Sequence, residues 1–172
     1  MKLAKYIACI CEGGAEAAII DVLLSDSLLI FKRSDLIEEK VIRCRNARNF
    51  EERYLRKEYD SKITVIRILD SRMENFRLSK AYSHKVDVIN VITAPEIEIL
   101  IIISQGEFEH FKKYHSKPSE FCKSILKIHD VKSYDFVKEY YKDSSKLIYS
   151  IRKYFEMANI PKNEYSLFDL LI

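Results

Sequence analysis

The stretch that decides the fold class is residues 4–24, AKYIACICEGGAEAAIIDVLL. Its apolar first part, AKYIACIC, predicts a short buried strand, and the following Glu12-Gly13-Gly14 predicts a tight turn at the end of that strand. The part after the turn, AEAAIIDVLL, has apolar residues at helical spacing and predicts a helix. A strand, a glycine-containing turn and a helix in this order are typical of the first unit of an α/β protein.

Two further apolar runs predict strands of the same sheet. Residues 63–69 (ITVIRIL) are rich in β-branched side chains, and residues 86–92 (VDVINVI) end before Thr93-Ala94-Pro95. Because helical stretches separate the runs, we expect a mainly parallel sheet flanked by helices. The helix after the third strand is predicted to begin at Pro95 and to end at Gly106.

The C-terminal part, residues 107–172, has a different character. It contains thirteen of the twenty aromatic side chains, and its apolar spacing is helical throughout. This pattern predicts a helical portion that packs on the α/β core of residues 1–106 within one compact domain. The aromatic stripe is typical of core packing or of a partner interface, and its tyrosine content leaves room for a homodimer.

The composition fits a globular domain, with 172 residues of which 48% are apolar and 32% charged. Three glycines and three prolines are too few for a disordered chain or for an all-β architecture with many turns. The four cysteines have no C-x-x-C spacing, which predicts reduced thiols. With no apolar run of 18 residues and no cleavable leader, we expect a cytoplasmic protein that does not associate with membranes.

Arginine is concentrated in one part of the chain. Nine of the ten arginines lie between residues 33 and 77, and residues 40–57 hold seven cations against two anions. Because a guanidinium group makes bidentate contacts with phosphate, this segment is a candidate nucleic-acid surface. Arg43, Arg45 and Arg48 are its candidate binding residues.

A solvated helix face is the alternative interpretation of the same segment. Residues 48–59 (RNFEERYLRKEY) predict an amphipathic helix with Phe50, Tyr54 and Leu55 on one face. In this interpretation Glu52 and Arg56 form an i,i+4 ion pair on the exposed face. The charge pattern leaves both interpretations open.

Acidic residues follow each of the three predicted strands. Glu12 ends the first strand, Asp70 ends the second, and Glu96 and Glu98 follow the third. The carboxyl ends of parallel strands share one edge of a sheet, which is where ligands of such sheets gather. Carboxylate oxygens suit Mg²⁺ or Mn²⁺, and these ions bridge to phosphate. The alternative is structural, since carboxylates also stabilise the N-termini of helices.

The turn after the first strand carries a family resemblance. Gly13 and Gly14 would let the backbone pass close to a phosphate group. The string Cys11-Glu12-Gly13-Gly14-Ala15-Glu16 resembles the E-G-x-x-E opening of Toprim domains, most closely the small Toprim-like proteins related to OLD-family nucleases and RloB-type phage-defence proteins. Asp70 stands where the family has its D-x-D motif, and residues 94–100 (APEIEIL) look like the later P-x-[FI]-E-x-[WL] segment. The resemblance covers roughly the first 110 residues.

The resemblance implies a Toprim-like (Rossmann-like) fold and divalent-metal-dependent cleavage or processing of nucleic acid, in phage defence or on a mobile element. It implies that Glu12 is a metal ligand or general acid/base, that Glu16 and Asp70 are metal ligands, and that Glu98 is a further ligand or orients a water. The implied cofactor is Mg²⁺ or Mn²⁺. The implied partners are DNA or RNA, held by residues 40–57, and an ATPase or another defence-system protein.

The chain departs from the family at the D-x-D motif, which here is Asp70-Ser71-Arg72. One alternative is that Glu74 supplies the missing carboxylate because the loop turns back. Another is that Arg72 contacts phosphate beside a one-metal site. The third is a catalytically inactive regulatory subunit that binds nucleic acid or a partner without cutting.

Overall fold

A four-stranded parallel sheet forms the centre of the structure, a computed structural model that describes residues 1–172. The strands are β1 (Tyr6–Cys11), β2 (Ile42–Arg43), β3 (Ile63–Leu69) and β4 (Val86–Ile92), and their spatial order is β2-β1-β3-β4. Each neighbouring pair is parallel. Helices flank the sheet, so the predicted α/β class with a parallel sheet is confirmed.

Seven α-helices accompany the sheet. They are α1 (Gly14–Ser25), α2 (Ala47–Phe50), α3 (Ile99–Ser104), α4 (Phe108–Lys113), α5 (Pro118–Ser124), α6 (Tyr134–Tyr140) and α7 (Ser144–Met157). A π-helical turn, Glu51–Leu55, continues α2, and two 3₁₀ segments lie at Arg33–Asp35 and Leu167–Leu170. None of the helices is both long enough and apolar enough to cross a membrane.

Alternation along the strands divides the apolar side chains between the two faces of the sheet. In β1, Ile7 and Cys9 face the larger core, whereas Ala8 and Ile10 face the smaller one. The larger core contains α1, α3 and buried residues of the C-terminal helices, among them the fully buried Tyr141. The C-terminal helices therefore pack directly against the α/β part of the chain.

Strand β2 is not among the strands predicted from the sequence. It consists of Ile42 and Arg43, which pair with Ile10 and Cys11 at the edge of the sheet. A run of two residues is too short for any alternation to be detected, so only pairing with β1 defines this strand. Its position matters because it places the start of the arginine-rich segment beside the end of β1.

The predicted helix at residues 48–59 is shorter than expected and changes type. The α-helical part ends at Phe50 and a π-helical turn runs to Leu55. A π-turn brings residues five apart onto one side, and Phe50 and Leu55 are both buried in the smaller core. The ion pair on the exposed face is Arg48 with Glu52, at 3.1 Å, rather than the predicted Glu52 with Arg56.

The helix predicted from Pro95 begins four residues later. Between β4 and α3 the backbone makes tight turns, with the N–H of Ile99 donating to the carbonyl of Glu96 and the N–H of Leu100 donating to that of Ile97. These turn bonds delay the α-helical pattern, so α3 starts at Ile99. Its end agrees with the prediction, because Gly106 follows in the left-handed region with φ of 75°.

Candidate functional site

The carboxyl edge of the sheet is the candidate site. The chain passes from β1 to β2 on one side and returns to β3 on the other, so the strand order reverses between β1 and β3. Ligands of open parallel sheets bind at such a reversal, outside the carboxyl ends of the strands. Glu12 follows β1 and Asp70 follows β3, so both residues border this crevice.

The first group of charges at this edge surrounds Arg67. This arginine of β3 is completely buried, and its Nη2 lies 3.0 Å from Oε2 of Glu74 and 3.5 Å from Oε1 of Glu12. Its guanidinium carbon lies 4.6 Å from the centre of the Phe76 ring. The loop after β3 therefore turns back and brings Glu74 towards Glu12, and both carboxylates approach the same nitrogen of a buried cation.

Arg67 is a residue that sequence reasoning missed. Its signal was a single cation inside the otherwise apolar strand ITVIRIL, where a buried charge needs a partner. The partners lie at positions 12 and 74, and only the folding of the loop after β3 brings them together.

The pKa of Glu12 is raised to about 7. Burial is the largest cause, followed by a hydrogen bond with Glu74 and the charge of Glu74, while Arg45 and Arg67 act in the opposite direction. Arg45 reaches Glu12 from solvent, with 3.5 Å between Nε and Oε2. Glu12 therefore takes up or releases its proton near neutral pH.

The second group of charges surrounds Lys132, in the loop before α6. Its Nζ lies 3.3 Å from Oε1 of Glu96, whose other oxygen accepts a hydrogen bond from the backbone N–H of Ser119. Burial opposes the charge on Lys132, but the carboxylates of Glu98 and Glu96 and, more weakly, Asp70 raise its pKa above the ordinary value. Lys132 thus pairs with Glu96 and interacts with Glu98 and Asp70 only through its charge.

Two carboxyl groups beside Lys132 have raised pKa values. Glu98 is almost fully buried at the start of α3, and burial raises its pKa to about 7. Burial also raises the pKa of Glu16, and the charge of Asp70 adds to the effect, while Glu16's own backbone N–H, Lys132 and Arg43 oppose it. Asp70 itself is exposed and forms no ion pair.

The predicted ligand residues therefore fall into two groups rather than one. Glu12 and Glu74 lie around Arg67, while Glu16, Asp70 and Glu98 lie within electrostatic reach of Lys132. No three side chains of His, Cys, Asp or Glu are arranged to hold a metal ion. As placed, the carboxylates do not form a Mg²⁺ or Mn²⁺ site, because they lie in two separate groups and Arg67 contacts Glu12 and Glu74. The metal stays a prediction.

The adjacent glycines make room for the protein's own chain. A Cβ on Gly14 would lie 2.9 Å from the carbonyl oxygen of Lys132 and 3.1 Å from the backbone nitrogen of Tyr134. A Cβ on Gly13 would overlap the carboxylate of Glu16. Gly14 thus lets the loop that carries Lys132 pass against the start of α1. The predicted approach of a phosphate to this turn stays a prediction.

The four candidate nucleic-acid residues lie in different surroundings. Arg43 is exposed and forms no ion pair, Arg45 contacts Glu12, and Arg48 pairs with Glu52. Arg72, at the altered D-x-D position, instead forms a 2.6 Å ion pair with Glu164 of the C-terminal segment.

Three other arginines are exposed and lack a carboxylate within 4.0 Å. They are Arg53, Arg56 and Arg77. Arg77 lies outside residues 40–57, and the sequence carried no sign that it would lie beside them.

Comparison with known proteins identifies no relative of this chain. No protein-family model, curated protein or solved structure matches this chain. The Toprim resemblance therefore rests on the motifs at residues 11–16, 70 and 94–100 and on their order along the chain.

Proposed function

We propose that this protein binds nucleic acid through an exposed arginine surface and holds it without cutting it. The arginine surface consists of Arg43, Arg45, Arg48, Arg53, Arg56 and Arg77. The observation that carries the proposal is a division of charge. At the edge, Glu12 and Glu74 contact Arg67 and Glu96 contacts Lys132, whereas Arg43, Arg53, Arg56 and Arg77 have no carboxylate partner.

Phosphate is the ligand chemistry that suits unpaired arginines. A guanidinium group keeps its charge at every physiological pH and offers a planar set of donors that matches two phosphate oxygens. Each phosphate that is neutralised also releases condensed counterions, which gives nucleic-acid binding its dependence on salt. An arginine already paired with a carboxylate loses much of this gain, because the pair must first be broken.

Arg67 supports binding in preference to metal-dependent cleavage. A divalent ion needs several free carboxylate oxygens, and here Glu12 and Glu74 share a buried guanidinium group that is held by Phe76. Removing that cation would leave two adjacent carboxylates in a low-dielectric site. At this edge, Glu12 and Glu74 therefore contact the permanently charged guanidinium group of Arg67.

Charge reversal at Arg43 and Arg53 tests the proposal. Both arginines are exposed and unpaired, so their replacement by glutamate breaks no ion pair. We expect the double variant to bind fluorescein-labelled single-stranded RNA, single-stranded DNA and duplexes at least about tenfold more weakly than the wild type. The salt dependence of log K should also become shallower by about 1–2, since each lost phosphate contact removes roughly 0.7–0.9. Fluorescence anisotropy at several salt concentrations measures both quantities.

Arg152→Glu is the matched control, because Arg152 is the one arginine that lies outside residues 33–77, and it is exposed and unpaired as well. We expect it to retain near-wild-type affinity. An equal loss of affinity in Arg152→Glu would show that the effect comes from net charge alone. A wild-type protein that binds no oligonucleotide at low salt would contradict the proposal.

Metal-dependent phosphodiester cleavage is the second candidate function. The strand order favours it, because β1, β3 and β4 are neighbours and the segments that carry Glu12, Asp70 and Glu98 leave the sheet at one edge. Incubation of labelled RNA and DNA with Mn²⁺ or Mg²⁺, with Glu12→Gln as the comparison, separates the two candidates. Cleavage that requires the metal and is lost in Glu12→Gln would support the second candidate and contradict the proposal of binding without cutting.

A further inference from the structure

A cleft of about 430 Å³ lies between the π-helical turn and the loop before β4. One wall is lined by Arg48, Glu51, Glu52 and Arg56, and the other by Arg77, Leu78, Ser79 and Tyr82. The volume lies within the range of small-ligand pockets and admits a group of the size of one nucleotide. The cleft is separate from the carboxylate groups of the sheet edge, because it shares none of their residues.

The two walls are joined by a hydrogen bond. The carboxylate of Glu51 accepts a hydrogen bond from the backbone N–H of Ser79. Phe76, Leu78 and Tyr82 pack against the smaller core. The loop is thus anchored on both sides of Arg77, whose side chain is exposed.

The charges of the cleft favour an anion. The lining holds Arg48, Arg56 and Arg77 against Glu51 and Glu52, a net charge of +1. Glu52 is paired with Arg48, and Glu51 keeps its negative charge while it accepts the hydrogen bond from Ser79. Arg56 and Arg77 have no carboxylate within 4.0 Å. Two unpaired guanidinium groups from opposite walls suit a phosphate group, which accepts hydrogen bonds from several directions. Tyr82 adds an aromatic ring to the same cleft, and aromatic rings stack on the bases of single strands.

We infer that this cleft holds one nucleotide of a single-stranded nucleic acid, with the phosphate between Arg56 and Arg77 and the base against Tyr82. The inference rests on the proposed function. It adds that the nucleic acid is single-stranded and that one of its nucleotides binds in this cleft. A duplex would reach the exposed arginines, but its paired bases cannot enter the cleft.

Glutamine variants that keep the length of the side chain test the cleft. Arg56→Gln and Arg77→Gln should each weaken binding of a single-stranded oligonucleotide by about tenfold, and duplex binding by no more than about threefold. Arg53→Gln is the matched control, since Arg53 is exposed and unpaired on the same segment but does not line the cleft. It should weaken both forms equally, by about threefold or less.

Tyr82 provides a second measurement that does not depend on charge. Tyr82→Phe should keep single-strand affinity and Tyr82→Leu should lose about tenfold, because stacking needs the ring and not the hydroxyl group. Thermal unfolding of each variant confirms that the protein is folded before its affinity is compared.

The possible outcomes separate the two proposals. If the wild type binds oligonucleotides but Arg77→Gln and Arg53→Gln lose the same affinity for both strand types, the cleft inference is overturned and the proposed function stands. If adenosine monophosphate binds the wild type as tightly as the oligonucleotide, a free nucleotide is the ligand and the single-strand inference is overturned. If the wild type binds no oligonucleotide, both proposals fall.

Discussion

Replacing Arg67 with methionine should lower the free energy of unfolding at pH 8 by about 3–5 kcal/mol, the cost typical of leaving a buried charge without its partner. Arg67 is completely buried and contacts both Glu12 and Glu74, so its removal leaves two neighbouring carboxylates with no buried counter-charge. At pH 5 the loss should be smaller, because Glu12, whose pKa burial raises to about 7, can then bind a proton in the folded state. Urea unfolding followed by circular dichroism at the two pH values measures the difference.

Two further variants show whether charge is the cause. Adding Glu12→Gln and Glu74→Gln to Arg67→Met should restore most of the lost stability, since an uncharged cluster of similar volume carries no such cost. Arg152→Met, at an exposed arginine with no ion pair, should change stability by no more than about 0.5 kcal/mol. A loss at Arg67 that is the same at pH 5 and pH 8 would contradict the role of Arg67 as a counter-charge.

Glu98→Gln should make the protein more stable at pH 8, by up to about 3 kcal/mol. The pKa of Glu98 is raised from 4.5 to about 7 by burial, so between these pH values the folded chain binds more protons than the unfolded chain. Stability therefore falls as the pH rises from about 4.5 to about 7, and the full cost is present above pH 7. Glutamine is neutral at every pH, so the variant should match the wild type near pH 4.5 and exceed it at pH 8.

Glu96→Gln is the matched control, and it should change stability at pH 8 in the opposite direction. Although burial opposes it, hydrogen bonds from Ser119 and the nearby Lys132 lower the pKa of Glu96. Its contribution is present above the unfolded pKa and is lost as the pH falls through the folded pKa, so the variant should lose about 1–2 kcal/mol at pH 8. Thermal unfolding between pH 4.5 and pH 8 follows both variants. A wild-type slope that persists in Glu98→Gln would show that another group causes it.

The parts of the fold that could be predicted are those with a local signal. The strand at β1, the turn at Gly13-Gly14 and the helix α1 lie next to each other in sequence, and their apolar spacing differs by type. Strand β2 and the π-helical turn could not be predicted, since each depends on a contact with a distant element. The same holds for the start of α3, where turn bonds rather than Pro95 set the first helical residue.

The candidate site could likewise be predicted only in part. Glu12, Asp70 and Glu98 could be placed at one edge of the sheet because each follows a parallel strand. Their partners could not be predicted, since Lys132 reaches Glu96 across 36 residues and Arg72 reaches Glu164 across 92. Arg67 is the most consequential of these, because it turns the expected metal ligands into partners of a buried guanidinium group.

The sequence by itself determined the α/β class, the edge at which the acidic residues gather and the concentration of arginine in one segment. These features follow from strand and helix periodicity and from counting charges, which need no knowledge of distant contacts. Only the tertiary structure decided which charges neutralise each other and which stay free for a ligand. The physical reason is that the energy of an ion pair depends on burial and on distances of a few ångströms between side chains that are far apart in the chain.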